Sequence, residues 1–362
     1  MGEAPRSAGE PDSYPGPSPA ARRRRAELAI LAVTVIWGAA FVWMKQALDA
    51  GEVWFSSAAS GDAAPPAENA AATPARLSDS AGALAIVVGA LMSLRFGFAA
   101  LALALVSRRA RQTLDAPAWR GGLVLGGLLA LGFFLQLFGL ARVTPSVSAF
   151  LTSLYVLFTA ACESVIARRP PRVALVLGAL LATGGAAIIG GPPGEGAPNV
   201  GEPSGGLVLG LGEWLTIASA AVFALHIVLT DRITKRVDPM GVTQSSFVVV
   251  AAASIALTCA GFASHDAPSP AALGALIAAP DFLLPLAALA VLATLVAITL
   301  MNLFQRELHP VRAAILYAIE PVWAALIAIS LGVESPTRWL FLGGGALLLG
   351  NWVAELGPRR RD

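Results

Sequence analysis

Residues 313–351 read AAILYAIEPVWAALIAISLGVESPTRWLFLGGGALLLGN. Two apolar runs, each suited to crossing a hydrocarbon core of roughly 30 Å as a helix, flank a polar turn at Glu334 to Thr337, and Glu320 with Pro321 interrupts the first run in its middle. Stepping back by 165 residues brings up 148–186, SAFLTSLYVLFTAACESVIARRPPRVALVLGALLATGGA, in the same layout. The register needs no gap: Pro145 meets Pro310, Leu151 meets Leu316, Pro171 meets Pro336, Gly178 meets Gly343 and Gly185 meets Gly350. Alanine and leucine match by chance in such composition, but paired prolines at both helix starts and paired glycines seven apart are harder to produce that way.

Outward from this pair, the whole chain is apolar. Charged residues are 13% of 362 and hydrophobic ones 56%, against about a quarter charged in soluble domains, so there is too little polar surface to wrap a water-soluble core. A net charge of +2 gives no footprint for nucleic acid. Ten segments are long and apolar enough to span a bilayer, at 28–49, 83–106, 121–141, 144–166, 172–190, 206–230, 240–262, 281–304, 310–331 and 338–356. The runs are continuously apolar, where a barrel strand would alternate; an all-α membrane protein with ten transmembrane helices follows. Residues 1–27 read as a disordered tail, 50–82 as a long loop on the outer side, 191–205 as an outward linker and 357–362 as a second tail. A signal peptide at the first run is disfavoured, because the run is long and no small-x-small site follows it.

Arginine placement gives the orientation. Nineteen positive residues fall on one side, at Arg22 to Arg25, Arg108, Arg109, Arg111, Arg120, Arg168, Arg169, Arg172, Arg232, Lys235, Arg236, Arg306, Arg312 and Arg359 to Arg361, and only Arg76, Arg142 and Arg338 on the other. Positive loops stay in the cytoplasm, so both termini are expected there, in an inner (plasma) membrane. VIWGAAFVWMK at 35–45 also resembles AVFALHIVLTD at 221–231, which makes 28–190 and 206–356 two five-helix halves. Five is odd, so the second half starts on the opposite face and the halves are inverted repeats, an architecture that recurs in secondary transporters with the substrate site at the repeat interface.

These residues carry a family resemblance. WGAAFVWMK, LRFGFAALAL at 94–103, the mid-helix Glu320-Pro321, the Gly-x-Glu at Gly332 to Glu334 and the glycine-rich last span resemble the EamA-type ten-helix permeases of the drug/metabolite transporter superfamily over residues 28–356. The resemblance implies movement of amino acids, sugars, nucleotide-linked compounds or drugs without choosing among them. The first half departs from the pattern, with Val156 at the place of Pro321 and Arg169 at that of Glu334, which puts symmetric kinks in doubt.

An ionisable side chain at mid-bilayer costs at least about 2.5 kcal/mol, so it marks a pathway or a partner. Arg95 and Glu320 lie deepest. Arg95 could attract an anionic group, and Glu320 a cationic group or a coupling proton; their structural alternatives are mutual pairing or bonding to backbone freed by the kink at Pro321. Tyr155 takes the place of Glu320 under the shift, so both are expected at one cavity, with Trp37, Tyr317 and Trp323 as aromatic walls or plain packing and His226 as a proton carrier or a structural hydrogen bonder. Gln136, Asn302 and Gln305 read as cross-helix hydrogen bonders, and Lys45 and Glu163 as residues snorkelling near helix ends.

The expected function is a secondary transporter of small metabolites, exporting by alternating access. A non-transporting scaffold or sensor, and a membrane-embedded enzyme, are the alternatives. No catalytic constellation, metal site or cofactor motif is visible, since His226, His265 and His309 are scattered and no phosphate-cradling loop precedes a lysine. The partners implied are a small-molecule substrate, the lipid bilayer and a candidate coupling proton, with a homodimer left open.

Overall fold

The computed structural model describes residues 18–60, 77, 80–166, 168, 173–189, 209–264, 270–308, 313 and 316–355. Among them every regular element is helical. The chain order is α1 (Pro19–Ser60), α2 (Ala81–Val106), α3 (Arg108–Gln112), α4 (Ala116–Leu140), α5 (Pro145–Thr152), α6 (Tyr155–Ile166), α7 (Val173–Ile188), α8 (Leu211–Thr234), α9 (Pro239–Phe262), α10 (Pro270–Ala278), α11 (Pro280–Ala288), α12 (Ala297–Phe304), α13 (Glu320–Ser330) and α14 (Arg338–Glu355). Among the described residues, seven helical stretches are long and apolar enough to cross a membrane, and Val173–Ile188 and Glu320–Ser330 are shorter apolar helices. The expected linker 191–205, the tail 357–362, His265, His309 and Arg169 lie outside the described residues.

The first helix differs from its expected span of 28–49 at both ends. It starts at Pro19 and continues to Ser60, so part of the expected tail and of the outer loop is helix. The cause is local. Ser18 caps the start by accepting from the Ala21 N–H at 3.2 Å, Arg23 pairs with Glu27 one turn on at 3.0 Å, and alanine and arginine are strong helix formers. With 42 residues and 1.5 Å of rise per residue, α1 is about 63 Å long. Its far end is held by α10, a short helix in a stretch expected to be loop: the Trp54 indole N–H donates to the Ala272 carbonyl.

The expected helix 8 is continuous from Pro280 to Glu307 but contains a π-helical stretch, Leu289–Val296, between α11 and α12. A π turn widens the helix and re-aims its carbonyls, and the Trp37 indole N–H takes one of them, Ala293 O, at 3.0 Å.

The helices pack in matching pairs. The helix α2 lies along α9, α7 along α14, and α4 between α8 and α9, while α1 packs on α13 and on the Pro280–Glu307 helix, and α8 on α5 and α6. At the α7–α14 crossing the backbones touch. A Cβ added at Gly185 would come within 2.6 Å of Gly343 O, and one at Gly350 within 2.6 Å of Gly178 O. Only glycine allows this approach.

Loops tie the two ends of the bundle. Between α13 and α14, Glu334 accepts the Thr144 hydroxyl at 2.8 Å and the Ser146 N–H at 3.2 Å, capping α5 from the far half of the chain. At the opposite face Arg109 grips Asp238, the N-cap of α9, through Nε at 2.9 Å and Nη2 at 2.6 Å.

Candidate functional site

Two of the expected spans are broken, and the breaks coincide under the 165-residue shift. In the fourth expected span, 144–166 (helix 4, made of α5 and α6), the chain leaves α-helical form at Ser153 and Leu154, and in the ninth, 310–331 (helix 9, ending in α13), at Ala318 and Ile319. Pro321 accounts for the second break, because it has no N–H to offer the Tyr317 carbonyl and its ring crowds the preceding turn. The first break forms without a proline. The Val156 N–H bonds to Ser153 O at 3.1 Å instead of to the carbonyl of Thr152. The asymmetry expected from Val156 is therefore one of means: both halves break at the same register.

Each break opens its next residue toward the middle of the bundle. Thr152 and Tyr155 from the first half, and their shift mates Tyr317 and Glu320 from the second, line one cavity holding about 650 Å³ of space free of protein, its mouth included. Trp37, Phe41 and Met44 from α1, Arg95 from α2, Phe133 and Gln136 from α4, Phe223 and His226 from α8, and Ile298 and Met301 from α12 complete most of the wall. Six of the seven cavity candidates read from the sequence meet there: Arg95, Glu320, Tyr155, Trp37, Tyr317 and His226. Trp323 lies elsewhere. It is half-buried and packs on α1, where a Cβ on Gly38 would come within 2.6 Å of its own Cβ.

Arg95 and Glu320 do not pair with each other. Arg95 is 1% exposed, and its partners are neutral: Nε donates to Thr294 Oγ1, Nη1 reaches Met44 Sδ at 3.8 Å, and the guanidinium carbon lies 4.7 Å from the Phe133 ring centroid and 5.3 Å from that of Phe96. Cation–π contacts offset part of the desolvation cost yet leave the positive charge without an anion among the described residues. Glu320 is the first residue of α13, where the helix dipole favours a negative charge. The Tyr155 side chain lies beside it in the cavity wall. Tyr317 is anchored away from it, donating to Gln305 Oε1 at 3.1 Å, while Gln305 Nε2 donates to Ile227 O at 3.0 Å. The aromatic wall is continuous, with Tyr317 centred 5.4 Å from Trp37 and 6.4 Å from Tyr155. His226 is within 3.5 Å of the Thr230 hydroxyl.

Several wall residues were not singled out from the sequence. Thr152 was reachable, because the shift carries it onto Tyr317. Gln136 bonds Thr152 Oγ1 at 3.3 Å, so the cross-helix bond read for it coexists with a place on the wall. Phe41, Met44, Phe133 and Phe223 gave no signal, since an aromatic or methionine in a membrane helix is ordinary packing until the cavity is located.

The sequence pattern of the EamA-like transporter family matches residues 77–191 and again 210–354, together more than two thirds of the chain. The chain belongs to the EamA-like transporter family. Each match covers one of the two broken helices, so within this EamA chain the cavity is walled by both matched stretches. Solved structures share the fold. One, titled only "Crystal structure of protein", superposes with a TM-score of 0.55 at 19% identity, over 92% of this chain and 97% of that one. No curated protein is similar enough to this EamA chain to match.

Proposed function

We propose that this EamA-family chain is a secondary transporter that exports small metabolites across the inner membrane by alternating access. Its ten spans act as two inverted five-helix repeats, and both termini are cytoplasmic. One observation carries the reading: two buried ionisable side chains, Arg95 and Glu320, line the same cavity and do not pair with each other. A scaffold or sensor has no need to keep two membrane-buried ionisable groups apart in one cavity. A substrate carrying both an anionic and a cationic group on an apolar or aromatic body would supply each with its partner. Glu320 can exchange a proton for the cationic group when the cavity is empty.

The inverted arrangement has support in the packing. If one half maps on the other by the 165-residue shift and a twofold axis in the membrane plane, a contact between Gly178 and Gly350 requires one between Gly343 and Gly185. Both contacts are present. The matched breaks at 153–154 and 318–319 obey the same operation.

The test compares extracellular metabolites from cells producing wild type, Arg95→Ala, Glu320→Gln or an empty vector at matched membrane expression. Enrichment of one compound class with wild type alone is the expected result. Equal profiles in all four, together with no uptake of the same compounds by wild type, would reject transport in favour of a scaffold or sensor.

A further inference from the structure

A break in a membrane helix exposes backbone groups that lipid cannot satisfy, so each break needs a device that holds it. In helix 9 the device is covalent, since Pro321 cannot donate. In helix 4 nothing in the local sequence forces the interruption, and Val156 is free to close the helix on Thr152. What lies against the break is Asn351, from the last helix. Its Nδ2 donates to Ser153 O at 3.2 Å and to Ser153 Oγ at 3.1 Å, and Ser153 Oγ in turn donates to Phe150 O at 2.6 Å. Asn351 is 2% exposed, and its Oδ1 has no partner among the described residues. An amide that leaves half its capacity unused deep in a bundle is costly to keep. The bond to Ser153 is what it provides. At the equivalent position in the first half stands Ala186, which offers no donor to the second break, so each break has one device and not both.

We infer that Asn351 is the positioning residue that holds helix 4 open and so keeps Tyr155 in the cavity wall, acting on the first break as Pro321 acts on the second. Without it, the Val156 N–H returns to Thr152 O, the two pieces α5 and α6 fuse into one helix, and Tyr155 turns out of the wall. Asn351 acts through Ser153 and does not touch the cavity. The inference rests on the transport reading only where flux is measured.

The experiment uses full-length protein with Cys162→Ala and Cys259→Ala, and Tyr155→Cys as the single thiol, labelled by a small maleimide. Adding Asn351→Leu should slow labelling about tenfold, and adding Val156→Pro to that variant should restore it to within about twofold, because proline imports the second half's device. A merely structural loss at Asn351 would not be repaired by a proline on another helix. Unchanged labelling with Asn351→Leu, or failure of Val156→Pro to restore it, overturns the inference. Should Asn351→Leu fail to accumulate in the membrane, accumulation of the double variant supports it and its absence overturns it. In the chain with Tyr155 intact, flux should follow the same order; a wild type that moves no compound would reject transport and leave the labelling result standing.

Discussion

Helix 4 and helix 9 occupy matching places and break at matching residues, yet they differ in almost every group that makes the break useful. Helix 9 carries its interruption in its own sequence, at Pro321, and offers a carboxylate at Glu320. Helix 4 borrows its interruption from another helix and offers a phenol at Tyr155. The lesson is that the shape of the cavity follows the repeat, while its chemistry does not. At the breaks helix 9 supplies an acid and helix 4 a phenol, and the first half's own ionisable group, Arg95, comes from a different helix, α2.

Substitutions that blur this difference should have graded effects. The largest is expected from Glu320→Gln, which removes the charge and keeps the shape: substrate flux should fall about tenfold or more, equivalent to ~1.4 kcal/mol in the barrier, with membrane insertion unaffected. The mate substitution, Tyr155→Phe, should cost only a few-fold in the same flux assay, about 0.5–1 kcal/mol, as expected for one neutral hydroxyl. Equal losses at the two positions would mean that the phenol is as much a part of the site as the carboxylate.

A second pair tests the symmetry itself. Gly185→Leu and Gly350→Leu are mates under the shift and strike the two reciprocal contacts, so each should lower stability by about 1–3 kcal/mol through overpacking, read as parallel drops in the melting temperature of purified protein. A large drop for one and none for the other would show that the α7–α14 contact is not reciprocal.

The smallest effect concerns the clasps at the two ends of the bundle. Burial pushes the Asp238 carboxyl up, but the hydrogen bonds and charge of Arg109 and the N–H groups of Met240 and Gly241 hold it, on balance, below the usual carboxylate range. A carboxyl depressed in the folded state contributes stability above its unfolded pKa, and that contribution is lost as pH falls through the folded value. Asp238→Asn should therefore cost about 0.2–1 kcal/mol near neutral pH, as for an exposed pair, a cost that disappears only once the pH falls below the usual carboxylate range far enough to protonate Asp238 in the folded protein. Glu334, which bonds two neutral donors at the other face, provides the comparison.

Much of the architecture was legible because membrane insertion writes itself into composition. The all-helical, apolar character of the chain and the burial of Arg95 and Glu320 follow from apolar run length and from the cost of charge in lipid. What escaped depends on contacts between residues far apart in the chain. The break in helix 4 has its cause 198 residues downstream, so Val156 in place of Pro321 suggested an unbroken helix. Trp323 faces Gly38 rather than the cavity, a choice of side that no period in a continuously apolar helix reveals. The π-helical stretch at Leu289–Val296 likewise has no mark in its local sequence that would separate it from the helix around it.

The glycine crossing of α7 and α14 bears on how such a chain can change. Neither helix contributes a side chain to the cavity wall, and their single tie to it among those described above runs through Asn351. At this crossing, helix packing and cavity lining are thus encoded in separate sets of residues. Substitutions at Phe41, Phe133, Phe223 or Met301 can remodel what fits inside without touching the glycine crossing of α7 and α14, so a lineage of such proteins can change its cavity while keeping that contact.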